Sequence, residues 1–210
     1  MKNIFNTITI VLLFCFVNTL RSQNFEGEID FKVKYTGLNS TIDTIRYRKI
    51  LGSFQKYFIK DNRYLSISNG YQTAVQLYRP ETNKIYYKLL TTDTIRCFDA
   101  GMDNEHVIDY KIEDVHEKIA GYDCKVLIVQ TKENKYKFYF SESIKINYQG
   151  FSRHKYSLWA FVSEHTQSVP LKTIIETKGL IIESKAEKVI VKQLQDDKFN
   201  LPLGATVICN

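Results

Sequence analysis

The stretch Asn24–Tyr35, NFEGEIDFKVKY, decides the fold. Every second residue from Phe25 to Tyr35 is apolar or glycine, and every residue between them is charged. Successive side chains of a β-strand point to opposite faces of a sheet, so this pattern predicts a strand with one buried face and one solvated face. Such alternation is typical of antiparallel sheets, which bury a single face more often than parallel sheets do.

Further extended stretches follow, separated by short polar turns. Asp61-Asn62 predicts a tight hairpin because both residues tolerate positive φ, and Asn69-Gly70 is the strongest short hairpin signal in the chain. The predicted strands after the first are residues 53–60, 63–68, 72–79, 84–90, 124–131, 136–140, 171–177 and 180–194. The chain also has 14 Tyr and 13 Phe, which is β-rich usage.

About ten short strands with little helix predict a mainly all-β fold, a curved antiparallel sheet or half-barrel. The one helix candidate after the N-terminal segment is Lys155–His165, KYSLWAFVSEH, which also suits an irregular loop or a strand.

The N-terminal segment has the three parts of a secretory signal peptide. Lys2 supplies the basic start, Ile8–Val17 is apolar apart from one threonine, and a polar exit ends near Ser22. The apolar run is too short to span a bilayer. Cys15 does not complete a lipobox, since Phe14 stands where a small residue is needed. We therefore expect residues 1–22 to be a cleaved signal peptide, without a lipid anchor, and the protein to be periplasmic or extracellular.

Residues 23–210 suit a single domain, because they hold no repeat, linker or low-complexity tract. Removal of residues 1–22 takes away Lys2 and Arg21 and lowers the net charge from +6 to +4. The remaining basic residues are spread along the chain, so a nucleic-acid partner is not indicated. No later segment reaches the length of about 18 apolar residues that a membrane span needs.

Three cysteines remain after processing, and an oxidising compartment favours a disulfide between two of them. Cys97 and Cys124 are the preferred pair, because both lie in β-rich segments that a hairpin-like excursion over residues 98–123 would bring together. Cys124–Cys209 is the competing pair, since spacing does not fix connectivity. No CxxC occurs, so neither a redox pair nor a zinc knuckle is indicated.

The motifs that resemble catalytic or metal sites are incomplete. HEKIA begins like a zincin helix, but Ala120 stands at the position of the second ligand. GFSRH ends in His154 where a nucleophile elbow has glycine. The four histidines have no metal spacing and are expected at the surface or at a rim. We expect no cofactor and no enzyme; an active site would require a cluster such as Asp99, Glu105 and His106.

The aromatic side chains allow two interpretations. They can fill an ordinary sheet core, or they can line a cavity on the concave side of a half-barrel that takes a lipid or another apolar ligand. The candidate cavity-lining residues are Phe31, Val33, Tyr136, Phe138, Phe140 and Trp159.

Two segments resemble a known family. Lys118–Asn147 contains KIAGYDCKVLIV and KYKFYFSESIKIN, and Pro170–Gly204 contains PLKTIIETKG and AEKVIVKQLQDDKFNLPLG. These resemble the I-x-G-Y-x-C-K element, the aromatic strand and the closing F-x-L/I-P-x-G of secreted proteins of unknown function from Bacteroidetes-type bacteria. Related GLPGLI-type proteins share the G-Y-x-C-K element, although the LPGLI pentapeptide is missing here. Such families are similar to the LolA/LppX lipoprotein-carrier superfamily, a curved half-barrel around a hydrophobic cavity.

The resemblance implies an envelope protein with a LolA-like half-barrel and no catalytic residue. The leading hypothesis is a non-catalytic module that binds a lipid or acyl chain in its concave face. The alternative is an interaction or scaffold module that holds another envelope protein and binds no small molecule. In both, Cys124 has a structural role at the start of a strand.

Overall fold

The structure, a computed structural model, describes residues 24–103 and 105–209. The predicted signal peptide, residues 1–22, lies outside the described residues. The strands are β1 (Gly27–Gly37), β2 (Phe54–Lys60), β3 (Arg63–Ser68), β4 (Val75–Arg79), β5 (Lys84–Lys88), β6 (Ile95–Asp99), β7 (Val107–Ile119), β8 (Tyr122–Thr131), β9 (Lys135–Phe140), β10 (Lys172–Glu176), β11 (Leu180–Val191) and β12 (Val207–Cys209). The helices are α1 (Thr44–Leu51) and α2 (Trp159–Thr166), with 3₁₀ turns at Tyr148–Phe151, Tyr156–Leu158 and Asp196–Phe199.

All twelve strands form one curved sheet that does not close. The strand order is β12-β6-β5-β4-β3-β2-β1-β11-β10-β9-β8-β7, and every pairing is antiparallel except that of β12 with β6. This arrangement confirms the fold class predicted from the sequence, a mainly β, curved antiparallel sheet with little helix. None of the helices in the described part of the chain has the length and apolar content needed to cross a bilayer.

Strand β1 lies at the centre of the sheet, between β2 and β11. Its alternation places Ile29 and Phe31 in the core on the concave face. The solvated face predicted for the other residues is only partly correct, because Glu28 is 5% exposed. Lys192 binds the Glu28 carboxylate, and Leu194 of the same C-terminal segment packs on the outer face of the neighbouring strands.

The two predicted hairpin turns have different outcomes. Asp61 and Asn62 both have positive φ and join β2 directly to β3, as predicted. Asn69-Gly70 does not form a two-residue turn, since residues 69–74 separate β3 from β4. Instead, Asn69 Oδ1 accepts hydrogen bonds from the backbone N–H groups of Ser53 and Phe54, at 2.8 and 3.0 Å.

The helix candidate is helical for most of its length. A 3₁₀ turn at Tyr156–Leu158 leads into α2, which begins at Trp159. Leu158 and Val162 pack against Leu127 and Phe138 of the sheet, so this segment covers part of the concave face.

The disulfide joins Cys97 to Cys209, and both pairings expected from the sequence, Cys97–Cys124 and Cys124–Cys209, are wrong. Cys209 lies directly opposite Cys97 in the parallel pair of β12 and β6, with Cα atoms 4.5 Å apart, within the range that a disulfide spans. Cys124 is a buried free thiol on β8, and its Sγ donates to the carbonyl oxygen of Tyr122 at 3.5 Å. Burial raises the pKa of that thiol to about 11, so it stays protonated at physiological pH.

Candidate functional site

A cavity of about 630 Å³ lies between the concave face of the sheet and the segment that carries α2. Strands from β1 to β6 and from β9 to β11 contribute to its wall, together with the loop before β4. On the side opposite the sheet, His154, Trp159 and Val162 of the α2 segment line it. Its size is in the range of small-molecule sites, roughly 300–1,000 Å³.

Aromatic rings form the floor of this cavity. The Tyr57 ring stacks on the Tyr64 ring with centroids 5.0 Å apart, and Trp159 meets Tyr64 edge-on at 5.9 Å. Phe31 stands at right angles to Tyr57, with centroids 6.4 Å apart. Because edge-on and stacked contacts fix the orientation of each ring, the floor is a preformed apolar surface rather than a set of mobile side chains.

Tyr64 and His154 form a buried polar pair beside the aromatic rings. The Tyr64 hydroxyl and His154 Nε2 share a hydrogen bond of 2.9 Å, and the two residues are 5% and 1% exposed. Burial lowers the pKa of His154 to about 3, so the imidazole is neutral at physiological pH. Burial also raises the pKa of Tyr64, and the neighbouring Tyr78 and Tyr156 raise it further. The phenol therefore stays protonated.

Neutral polar side chains line the walls. Gln55 donates a hydrogen bond to Ser66 Oγ at 2.7 Å, which holds its amide at the cavity wall. Gln76, Thr173 and Ser184 also line the cavity and are partly exposed. Their side chains make no hydrogen bond within residues 24–103 and 105–209, so their donors and acceptors are available to a ligand or to water.

Three of the six predicted cavity residues line the cavity, namely Phe31, Phe138 and Trp159. Val33 lies directly opposite Ser184 in the pairing of β1 and β11 but is not part of the lining. Tyr136 and Phe140 are not part of the lining and belong to the cluster in which the sheet packs against the α2 segment.

The sequence interpretation missed Tyr57, Tyr64, His154 and the glutamines of the cavity. His154 was expected at the surface or a rim, and that expectation is wrong, since it is 1% exposed. The register of the β2–β3 hairpin could have shown that two of these residues share a face. Ile59 pairs with Tyr64 and Tyr57 with Ser66, so both tyrosines lie on one face of this hairpin.

Asp99 and Glu105, the two acidic residues named as a possible cluster, have different hydrogen-bond partners. Glu105 accepts hydrogen bonds from the Tyr136 hydroxyl and the Asn134 amide, whereas Asp99 accepts from the Gly101 backbone and the Asn83 amide. Among the residues that the structure describes, no group of three His, Cys, Asp or Glu side chains is placed to hold a metal ion.

Solved structures are similar to this chain, whereas the sequence comparisons find no match. No protein-family model and no curated protein sequence matches it. A crystal structure of PNGF-II is similar with a TM-score of 0.50 and 12% identity, over 88% of this chain and 31% of PNGF-II. The crystal structure of the Mycobacterium tuberculosis lipoprotein LppX aligns with a TM-score of 0.38 and 9% identity, over 81% of this chain and 89% of LppX. This chain thus spans about a third of the length of PNGF-II, with which it shares a fold and no more.

Proposed function

We propose that this protein is a non-catalytic binding module that holds an apolar ligand, such as a lipid or acyl chain, in the cavity of its concave face. The observation that carries the proposal is the aromatic floor of a cavity of about 630 Å³. Burying apolar ligand surface against such rings is favourable by roughly 25 cal/mol per Å². The fixed ring contacts reduce the ordering cost of binding.

The proposal also includes an exported location for this protein. The disulfide between Cys97 and Cys209 suits an oxidising compartment such as the periplasm or the cell exterior. The resemblance of Lys118–Asn147 and Pro170–Gly204 to secreted GLPGLI-related proteins, and through them to the lipoprotein-carrier superfamily, points the same way.

Ligand binding can be tested by native mass spectrometry of protein purified from cell envelopes, followed by organic extraction. We expect a bound lipid mass. A titration with a neutral ten-carbon amphiphile adds a direct readout, because Trp159 lines the cavity and is the only tryptophan in the chain. Its fluorescence should change saturably.

A matched pair of variants separates cavity binding from adsorption to the surface. Ser184→Phe places a ring inside the cavity, whereas Lys188→Phe places one on an exposed position of the same strand. Binding should be lost in the first variant and kept in the second. Equal binding by both variants, or an empty protein that gives no fluorescence response, would contradict the proposal.

Self-association through the edge strand β7 is a second candidate function, favoured by its exposure. β7 has a neighbour on one side only, and Tyr110 and Ile112 are 47% and 45% exposed. If two copies pair β7 antiparallel about Tyr110, Asp109 of each copy faces Lys111 of the other. Opposite charges in facing positions stabilise a strand pair. Lys111 Nζ also lies 2.6 Å from Glu113 of its own chain.

This pairing is tested with one variant that reverses a charge and a second that restores the opposite pair. The oligomeric state is measured by light scattering coupled to size-exclusion chromatography. Lys111→Asp should weaken a dimer because it sets Asp109 against an aspartate of the other copy. The double variant Asp109→Lys/Lys111→Asp should restore it. If the protein is a monomer at high concentration, or if a dimer has the same stability in the wild type and in both variants, this candidate is wrong.

A further inference from the structure

The side chains around the cavity carry no ionised group. Among the described lining residues there is no Asp, Glu, Lys or Arg. The titratable groups in the lining are tyrosine phenols and the imidazole of His154, which is buried next to Tyr64 and stays neutral at physiological pH. The cavity therefore offers no counter-charge to a carboxylate, a phosphate or an ammonium group.

The strand alternation holds the neighbouring charges on the opposite face of the sheet. Lys172 precedes Thr173 of the cavity wall, and its Nζ lies 3.0 Å from Glu117. Lys56 stands between Gln55 and Tyr57 in the sequence, and it pairs with Glu28 on the outer face. These lysines are paired with acids away from the cavity, so they cannot serve a charged ligand inside it.

The walls do offer neutral hydrogen-bonding groups. Gln76 on β4, and Thr173 and Ser184 as facing residues of β10 and β11, stand on the two sides of the aromatic floor. We infer that the cavity selects an uncharged amphiphile, with an apolar body on the aromatic rings and hydroxyl or carbonyl groups at these neutral side chains. This inference rests on the proposed function, since it names the class of ligand for the same cavity.

The test compares three ten-carbon probes that differ in the head group, each kept below its critical micelle concentration. Monodecanoylglycerol is neutral, decanoate is anionic and decyltrimethylammonium is cationic at pH 8. Dissociation constants come from Trp159 fluorescence of the folded, disulfide-intact protein. We expect the neutral probe to bind at least about tenfold more tightly than either ion, because an ion loses hydration in the cavity without gaining a partner.

A charge introduced at one wall position should change this preference predictably. Gln76 is partly exposed, so its replacement leaves the core intact. Gln76→Lys should improve decanoate binding and weaken decyltrimethylammonium binding, and Gln76→Glu should do the reverse. Circular dichroism and thermal unfolding check that both variants fold.

The outcomes separate this inference from the proposed function. If neutral and ionic probes bind equally, or if the ionic probes bind more tightly, the inference is wrong while cavity binding stands. If no probe of any charge binds, the proposed function fails, and the inference fails with it.

Discussion

The Tyr64 hydroxyl lies 2.9 Å from Nε2 of His154, and this bond links β3 to the segment that carries α2. Nδ1 of the same ring is buried and has no hydrogen-bond partner within the described chain. One ring nitrogen is thus satisfied by Tyr64 and the other is enclosed by apolar groups. This environment explains why the imidazole stays neutral, because a charge there would lose its hydration without compensation.

The first prediction is that His154 makes the protein less stable in mild acid. Its pKa is about 3 in the folded state, against roughly 6.5 in an unfolded chain. Between these values the unfolded state binds the additional proton, so stability falls as the pH drops below 6.5. Between pH 7 and pH 5 this linkage removes about 2 kcal/mol from the free energy of unfolding.

Urea unfolding of the wild type and of His154→Gln at both pH values measures this linkage. The other histidines are present in both proteins, so their effects cancel in the comparison. The wild type should lose about 2 kcal/mol more than the variant on going from pH 7 to pH 5. Equal losses would mean that His154 is protonated in the folded state or is accessible to water.

The second prediction concerns disulfide connectivity. Alkylation of the unreduced, denatured protein followed by peptide mapping should find a linked Cys97–Cys209 peptide and an alkylated Cys124. Because the bridge spans 112 residues of sequence, its reduction should cost about 2–5 kcal/mol of stability. Alkylation of Cys209 without reduction would contradict the pairing of β12 with β6.

The fold class could be predicted from the sequence because apolar and charged residues alternate in β1, and this alternation indicates which side chains face the core. Each position from Phe25 to Tyr35 reports which face of the strand it occupies, and the turn at Asp61-Asn62 follows from local backbone preference. These are short-range effects. The environment of Glu28 is a long-range effect, since Lys192, which binds its carboxylate, lies 164 residues further along the chain.

The site was less predictable because the shape of a cavity is a long-range property. Phe138 and Tyr136 share one face of β9 and pack in the same cluster with the α2 segment, yet only Phe138 lines the cavity. No spacing in the sequence tells where a helix will lie on a sheet. The prediction of the disulfide pairing failed for the same reason, because the Cys97–Cys209 bridge depends on the pairing of the C-terminal strand with β6.

The third prediction is that Gly70 tolerates no side chain, although it does not serve a tight turn. A Cβ at residue 70 would lie 2.7 Å from the backbone nitrogen of Gly52, and closer still to the carbonyl carbon of Leu51. Backbone atoms cannot rotate away, so Gly70→Ala should cost about 1–3 kcal/mol. Gly121→Ala is the control: its φ is +92°, but a Cβ there meets nothing within 4 Å.

Chemical denaturation of both glycine variants separates a steric cost from a conformational one. Gly121→Ala should lose about 1 kcal/mol, the cost of holding alanine at positive φ. A Gly70→Ala variant as stable as the wild type would show that the α1–β2 connection yields to a methyl group.

The fourth prediction concerns Glu28, whose carboxylate is enclosed by two lysines. Nζ of Lys56 and Nζ of Lys192 each lie 2.5 Å from its oxygens, and its side chain is 7% exposed. Burial alone would raise the pKa of this carboxyl, but the hydrogen bonds from Lys192 and Lys56 outweigh it and lower the pKa to about 2. The ionised form is therefore the one that stabilises the fold.

Glu28→Gln should lower the free energy of unfolding by about 2 kcal/mol at pH 7, after discounting for the partial exposure of both lysines. The unfolded carboxyl titrates near pH 4.3, so the difference from wild type should be full above that pH and shrink as the pH falls towards 2. The matched control is Glu187→Gln, which removes an exposed pair with Lys32 at 3.7 Å and should cost less than about 0.5 kcal/mol. Urea unfolding at pH 7 and pH 3 gives both comparisons. A Glu28→Gln deficit that is the same at both pH values would show that the lost stability comes from packing rather than from the ion pairs.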